Sequence, residues 1–344
     1  MENKEQYSGE KIITISIAAY NMEKYLRETL DSFLIGEEMC KFEILIIDDG
    51  STDATAMIAQ EYEKRYPQCF RIISKENGGW GSTVNCSIEN ATGKYFKILD
   101  GDDYFDLKNL KEYLKFLEQA NEDMVITPYK TFDDITGKAI HVYDYDKMLQ
   151  MDSKTLTMPH ILDECRDIEM HACTVKTDIL KFNNIKLLEH CFYTDNEFLI
   201  KAYSHCNTVT YFPKCIYCYR VGRSGQSISP EGKRKHYKEH ERVLSSMIQY
   251  VHNLPIHKEM NELLNIRITG LALAQYYTFF YLESTKQMKK ELRRFDSWLK
   301  VASPDIYYAI NTRSITFLRL TRFVLVKPVA YRIKKYLLKM HNDD

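Results

Sequence analysis

No run of about 18 consecutive apolar residues occurs in the 344-residue chain, so the sequence offers no membrane-spanning helix. Charge of one sign is also missing. The 47 Lys+Arg nearly balance 48 Asp+Glu for a net of −1, which excludes the basic-throughout character of a general nucleic-acid binder. Nine cysteines, an odd number at irregular spacing, suggest no disulfide framework. The first apolar run, Ile12 to Ala19, ends without a cleavage-type site, unlike a signal peptide. Together these absences predict reduced thiols in a cytoplasmic protein, soluble or peripheral on the inner face of the membrane. Internal repeats and low-complexity tracts are missing too. What remains is an ordinary globular composition, 44% hydrophobic and 28% charged. Its 25 Tyr against 16 Phe favour wide, partly polar contact surfaces.

The first third alternates two periodicities. Short apolar runs at Ile12–Ala19, Ile44–Ile47, Phe70–Ile73 and Tyr95–Leu99 read as strands, Ile44–Ile47 as one covered on both faces. Between them, helical spacing runs over Met22–Leu34, Asp53–Tyr66 and Ser82–Asn90. This rhythm predicts an α/β fold, a Rossmann-like, mostly parallel sheet flanked by helices. Further helices are expected over Leu107–Ala120 and Thr194–Ser204, with β structure at Asp123–Pro128 and Thr208–Arg220. From Lys235 onward the pattern is nearly all helical. Gly222, Gly225, Pro230 and Gly232 crowd the junction. The expected organisation is an N-terminal extension (1–11), an α/β domain (12–228) and a helical C-terminal region (229–344).

In an open parallel sheet, ligands bind outside the carboxyl ends of the strands. Four polar clusters fall there: Ala18-Ala19-Tyr20-Asn21-Met22-Glu23, Asp48-Asp49-Gly50-Ser51-Thr52-Asp53, Asn77-Gly78-Gly79-Trp80-Gly81 and Asp100-Gly101-Asp102-Asp103. The glycine-rich cluster has neither the GxGxxG spacing of a dinucleotide site nor the Gly-Lys-Ser/Thr ending of a P-loop. Asp100 and Asp102, one residue apart at a strand end, can share a divalent cation, Mn or Mg, and a ribose between them. Such cations are held by one or two carboxylates plus substrate phosphates. A diphosphate substrate follows.

Ile15-Ser-Ile-Ala-Ala-Tyr-Asn-Met-Glu23, Ile46-Ile-Asp-Asp-Gly-Ser-Thr-Asp-Ala-Thr55, Glu76-Asn-Gly-Gly79 and Leu99-Asp-Gly-Asp-Asp103, in this order, resemble the family 2 glycosyltransferases. The resemblance covers roughly residues 12–225. It implies a GT-A fold and the inverting transfer of a sugar from a nucleotide diphosphate donor, a UDP-sugar, usually with a divalent metal. By the same resemblance, Ala18 to Tyr20 and Asp49 form the base pocket, with Glu23 beside it. Asn77 and Gly78 lie over the donor, Asp100 contacts the ribose and Asp102 ligates the metal. Tyr217-Cys-Tyr-Arg220 with Ser227-Ile-Ser229 resembles the family's closing segment and puts Arg220 on the diphosphate. Two departures stand out. Ser82-Thr83-Val84-Asn85 replaces the family's Ala-Arg-Asn, leaving its cationic contact to Lys75 or a later Arg. Thr194-Asp195 replaces its Glu-Asp pair, making Asp195 the expected base, with Glu197 next in line. Acceptor and partners follow as expectations: a hydroxyl of a glycan or lipid-linked carrier in cell-surface polysaccharide synthesis, and no nucleic acid. A non-catalytic nucleotide-sugar-binding or scaffold partner of an active transferase is the rival reading.

Three features lie outside this pattern. His236-Tyr-Lys-Glu239-His240 has metalloprotease-like spacing inside a charged helix start, and Cys215-Ile-Tyr-Cys218 is a lone pair in a strand pattern. Both read as structural. From Arg313 to Met340, eight Lys/Arg and no Asp/Glu interleave with large apolar residues. Such a tail either lies on an anionic membrane surface or docks on its own domain or a second copy. Pro328 is expected to break it into two helices.

Overall fold

The computed structural model describes residues 9–146, 156–165, 168–223 and 229–333. The chain divides into two compact units, Met1–Arg223 and Ser224–Asp344. In the first, strands β1 (Ile13–Ala19), β2 (Phe42–Asp48), β3 (Phe70–Ser74) and β4 (Tyr95–Asp100) are followed by β5 (Tyr104–Phe105), β6 (Met124–Ile126), β7 (Tyr129–Asp133) and β8 (Ala139–Tyr143). After these come β9 (Leu156–Thr157), β10 (Cys173–Lys176), β11 (Thr208–Tyr211) and β12 (Tyr217–Val221). The main sheet runs β3-β2-β1-β4-β10-β6-β11-β9, and β5-β12-β7-β8 form a smaller one. β1, β2, β3 and β4 are mutually parallel; β10 enters antiparallel between β4 and β6. The α/β reading with a mostly parallel sheet is therefore correct.

Among the described residues this unit has the helices α1 (Leu26–Asp31), α2 (Thr55–Arg65), α3 (Trp80–Asn90), α4 (Leu107–Gln119), α5 (Met158–Glu164), α6 (Thr177–Phe182) and α7 (Thr194–Tyr203). β2 is buried at every position, and Ile13, Ile15 and Ile17 of β1 are fully buried, as a strand covered on both faces requires. Two expectations change in detail. The helix expected from Met22 shrinks to α1, because Asn21 takes a left-handed φ of 53° and Met22 to Tyr25 form a turn. The β run at 208–220 splits between the two sheets at Pro213, which has no N–H for a ladder.

The second unit is helical: α8 (Pro230–Asn253), α9 (Lys258–Thr278), α10 (Thr285–Ala302), α11 (Pro304–Ala309) and α12 (Arg313–Leu320). Residues 326–333 are helical again. Ser229 caps α8 by accepting from the Gly232 N–H at 3.0 Å. Leu264, Ile268, Ala272 and Tyr276 of α9, Phe279 just after it and Phe295 of α10 are fully buried and form core. The tail does form two helices, but the break lies at 321–325, where Arg322 and Phe323 both have positive φ. Pro328 instead sits in the first turn of the second helix, where a missing N–H costs little. Residues 334–340 of the tail and 224–228 of the closing segment, Ser227 among them, lie outside the described residues. No helix among the described residues is long and apolar enough to cross a membrane. None of the nine cysteines forms a disulfide.

The spaced histidines of α8 bond separate partners: His236 Nδ1 meets Glu239 Oε1 and His240 Nδ1 meets Gln275 Oε1, each at 2.7 Å. Burial, with the Lys233 charge nearby, pulls His240 down to about 4 against the opposing Gln275 bond. A folded pKa below the unfolded one means the unfolded chain binds the extra proton first. Stability should therefore be full above about pH 6.5 and fall by on the order of 3 kcal/mol as pH drops through 4. Thermal melts of His240→Gln should show a visibly flatter acid limb than the parent chain; identical limbs would assign the acid sensitivity elsewhere.

Candidate active site

The parallel strands deliver their loops to one edge, and side chains lock those loops together. Asn21 Oδ1 accepts from the Thr52 N–H at 2.9 Å, and Ser51 Oγ accepts from the Asn21 N–H at 3.1 Å. Glu23 Oε2 accepts from the Ala54 N–H and Asp53 Oδ2 from the Glu23 N–H, a reciprocal pairing at the head of α2. Glu23 thus joins two loops. Ala18 O accepts from the Gly101 N–H, and a Cβ on Gly101 would lie 2.7 Å from that same oxygen. Only glycine lets the β4 turn close on β1. The Tyr20 ring stays exposed beside it.

Asp49, nearly fully buried, organises the glycine-rich segment. Its carboxylate accepts from Gly78 N–H (2.9 Å), Gly79 N–H (2.8 Å) and Lys75 Nζ (2.7 Å), while its carbonyl accepts from Asn77 Nδ2 (3.0 Å). Lys75 also reaches Ser82 Oγ at 2.8 Å. The segment standing where the family has Ala-Arg-Asn binds the protein itself: Asn85 grips Leu187 through both its N–H (2.8 Å) and its carbonyl (2.9 Å).

At the end of β4 three carboxylates crowd within four residues. Trp80 Nε1 donates to Asp100 Oδ1 at 2.7 Å. Burial and the Asp102 charge push Asp100 up to about 7. Asp103, fully buried, accepts from Tyr217 Oη (2.6 Å) and the Arg220 N–H (2.7 Å); burial and its two neighbours hold its carboxyl well above the usual range. Asp102 forms an ion pair with Arg223 at 2.5 Å. Arg220 points inward. Its guanidinium donates to Asp102 O, Asp134 and Glu28 and packs 4.7 Å from both the Tyr25 and Phe132 ring centres.

Beneath this turn lies His171. One donor atom each from Asp100, Asp103 and His171 fall within 4.8 Å of one another, and His171 Nδ1 is buried with no hydrogen-bond partner among the described residues. Lys97 Nζ donates to the His171 and Cys173 carbonyls (2.7 and 3.1 Å), tying the short turn Met170–Ala172 to β4. Burial and the Lys97 charge pull His171 down to about 3, so its ring is neutral at physiological pH, the form that ligates metals. Two carboxylates and an imidazole whose nitrogen lacks a partner fit a divalent cation.

Asp195 sits in the first turn of α7, and its charge is one of those that raise Asp100. Glu197 is fully buried, accepting from the Leu188 N–H and Lys201 Nζ, both at 2.8 Å. That withdraws it from any exchange with a substrate.

The sequence pattern described as "Glycosyl transferase family 2" covers residues 14–181. That segment, a little under half of the chain, carries the family 2 domain. An uncharacterized glycosyltransferase, RP339 of Rickettsia prowazekii, is 27% identical over 58% of this chain and 66% of its own length. TarS of Staphylococcus aureus, a poly(ribitol-phosphate) beta-N-acetylglucosaminyltransferase, is 25% identical over 63% and 36%. The chain thus spans less than two thirds of these curated relatives. In the crystal structure of S. aureus TarS 1–349 with UDP-GlcNAc the same fold recurs: TM-score 0.69 and 20% identity, covering 94% of this chain and 92% of that one. The mannosyltransferase PcManGT of Pyrobaculum calidifontis, in complex with GDP-Man and Mn²⁺, has TM-score 0.53 and 14% identity, covering 95% and 84%.

Sequence reading missed His171, Arg223 and the Trp80–Asp100 bond. Trp80 and Asp103 lie inside the polar clusters at the strand ends, and only the fold gives them partners. His171 lay in a stretch with no motif at all.

Glycine placement yields a sharp test. A Cβ on Gly81, in the first turn of α3, would sit 2.1 Å from Leu188 O, on the segment leading into α7. Gly81→Ala is expected to lower stability by about 1–3 kcal/mol through overpacking. Gly270→Ala, inside α9 with nothing within 4 Å, should be neutral or stabilising by about 0.5–1 kcal/mol. Denaturant titrations that rank the two variants the other way would contradict this packing.

Proposed function

We propose that this chain transfers a sugar from a UDP-sugar to a hydroxyl of a glycan or lipid-linked acceptor, with inversion, as a step in building a cell-surface polymer. The reaction is assigned to residues 12–228, with 229–344 as an attached helical region. The observation that carries this reading is one sheet edge that brings Asp195 within electrostatic reach of the Asp100–Asp103 turn. A base is thereby set beside a turn suited to a donor's ribose and diphosphate. The UDP-GlcNAc bound by TarS, a relative of the same fold, supports the donor class. Nine cysteines outside any disulfide support a reducing, cytoplasmic setting.

In this mechanism Ala18, Tyr20 and Asp49 border the base pocket, and Asn77 and Gly78 cover the donor. Asp49 acts there through the loop it holds. Asp195 accepts the proton of the acceptor O–H as that oxygen bonds to the anomeric carbon. The bond from that carbon to the diphosphate breaks on the opposite face, and its electron pair leaves with the nucleotide. Asp100, Asp103 and His171 would hold a divalent cation, Mn or Mg, which when bound offsets charge gathering on the leaving diphosphate. Asp102, the ligand expected from sequence, is instead engaged by Arg223. Arg220 is buried and spent on Asp134 and Glu28, so the role of facing the diphosphate passes to Arg223.

Asp195→Asn keeps shape but cannot take the proton, and turnover of UDP-sugar with acceptor should fall by about 10²–10⁴-fold while UDP affinity stays near the parent value. Native turnover would instead mark the base as another residue. Mn²⁺ titration followed by electron paramagnetic resonance separates the ligand sets. His171→Phe should weaken Mn²⁺ binding about tenfold or more, with Asp102→Asn mild. The reverse order would return the cation to Asp102.

A further inference from the structure

The tail of the second unit carries two apolar stripes. On α12, Ile315 and Leu318 are buried; on the helix after the break, Val326, Val329, Ala330 and Ile333 are. This inward stripe anchors both helices to their own unit. Arg319 turns inward as well, donating to Asp296 Oδ1 at 2.8 Å and to the Tyr307 and Ile310 carbonyls.

The opposite face should be polar, and it is not. Positions 313, 316, 317 and 320 share the outward side of α12, as 327, 328, 331 and 332 share that of the next helix. On those sides Phe317, Leu320 and Tyr331, and in the break between the helices Val324 and Leu325, are between 42% and 79% exposed. Among them stand Arg313, Arg322, Lys327 and Arg332, all exposed. No Asp or Glu occurs from residue 306 to 342, and Lys334, Lys335 and Lys339 follow in the sequence.

We propose that this outward face docks on an anionic membrane surface. Large apolar side chains interleaved with cations of one sign match a lipid interface, where the apolar groups enter the headgroup boundary and the cations meet anionic headgroups. A second copy of the chain fits poorly. A two-fold contact sets the same patch against itself, and cations would then face cations with no carboxylate on the strip to answer them.

The test is co-flotation of the full chain with vesicles of phosphatidylcholine alone or with about a third phosphatidylglycerol. Flotation is expected only with the anionic vesicles at low salt, and loss of it at about 1 M salt, where screening is nearly complete. Each of Arg313→Gln, Arg322→Gln, Lys327→Gln and Arg332→Gln should cut partitioning about fivefold. The triple change Phe317→Ser, Leu320→Ser, Tyr331→Ser should abolish it. Circular dichroism and melting should be unchanged in all of them, since every altered side chain is exposed. No flotation, or equal flotation on neutral vesicles, would overturn the proposal. So would a lipid-free dimer in sedimentation that the triple variant dissolves, because the face would then be a self-interface.

Discussion

Three carboxylates within four residues at the end of β4 are the constraint around which the α/β unit is arranged. Burying charge in a low-dielectric interior is costly, and neighbouring like charges add to that cost. The surroundings answer each one differently. Asp100 takes the Trp80 N–H, Asp102 the Arg223 guanidinium, and Asp103 the Tyr217 hydroxyl with the Arg220 N–H. These compensations come from α3, from β12 and from Arg223, two residues beyond it. The turn therefore exists in this form only when the main and smaller sheets are both assembled.

Seen in this way, Arg220 is the clasp of the fold. Its main chain holds Asp103, its Nε holds the Asp102 carbonyl, and its remaining donors reach Glu28 and Asp134 on two other elements. A planar guanidinium with five donors suits such a junction between carboxylates and aromatic faces better than a lysine would. On the other side of the site, Asp49 does comparable work with a single carboxylate, collecting two backbone N–H groups and Lys75. The glycine-rich segment keeps its course because its amides have a fixed acceptor. Both examples show buried polar groups bought into the structure only with full hydrogen-bond satisfaction.

The two helices of the tail make a different point about amphipathic segments. Interleaved apolar and basic residues suggested two exclusive readings, one face for protein or one for lipid. The folded unit has room for both, because burial takes only the 315, 318, 323, 326, 329, 330 and 333 positions. The apolar residues left over still need an explanation, and the cations beside them supply one.

The amino-acid order by itself determined the strand–helix rhythm, the mostly parallel sheet and the polar clusters at Asp49, Asn77, Gly78 and Asp100. These signals are local: a four-residue apolar run, a 3.6-residue period, or a turn residue placed after a strand. Burial and partnership are not local, and tertiary structure alone decided them. Glu197 and Asp195 stand two residues apart in one helix turn, yet one is sealed beneath Leu188 and Lys201 while the other's charge reaches Asp100. Arg220 and Arg223 divide between clasp and counter-ion in the same way. His171 reaches the β4 turn because β10 runs antiparallel beside β4 and Lys97 pins the carbonyls there. Which way a side chain faces, and what meets it, depends on strands far apart in sequence, so no spacing rule could have disclosed it.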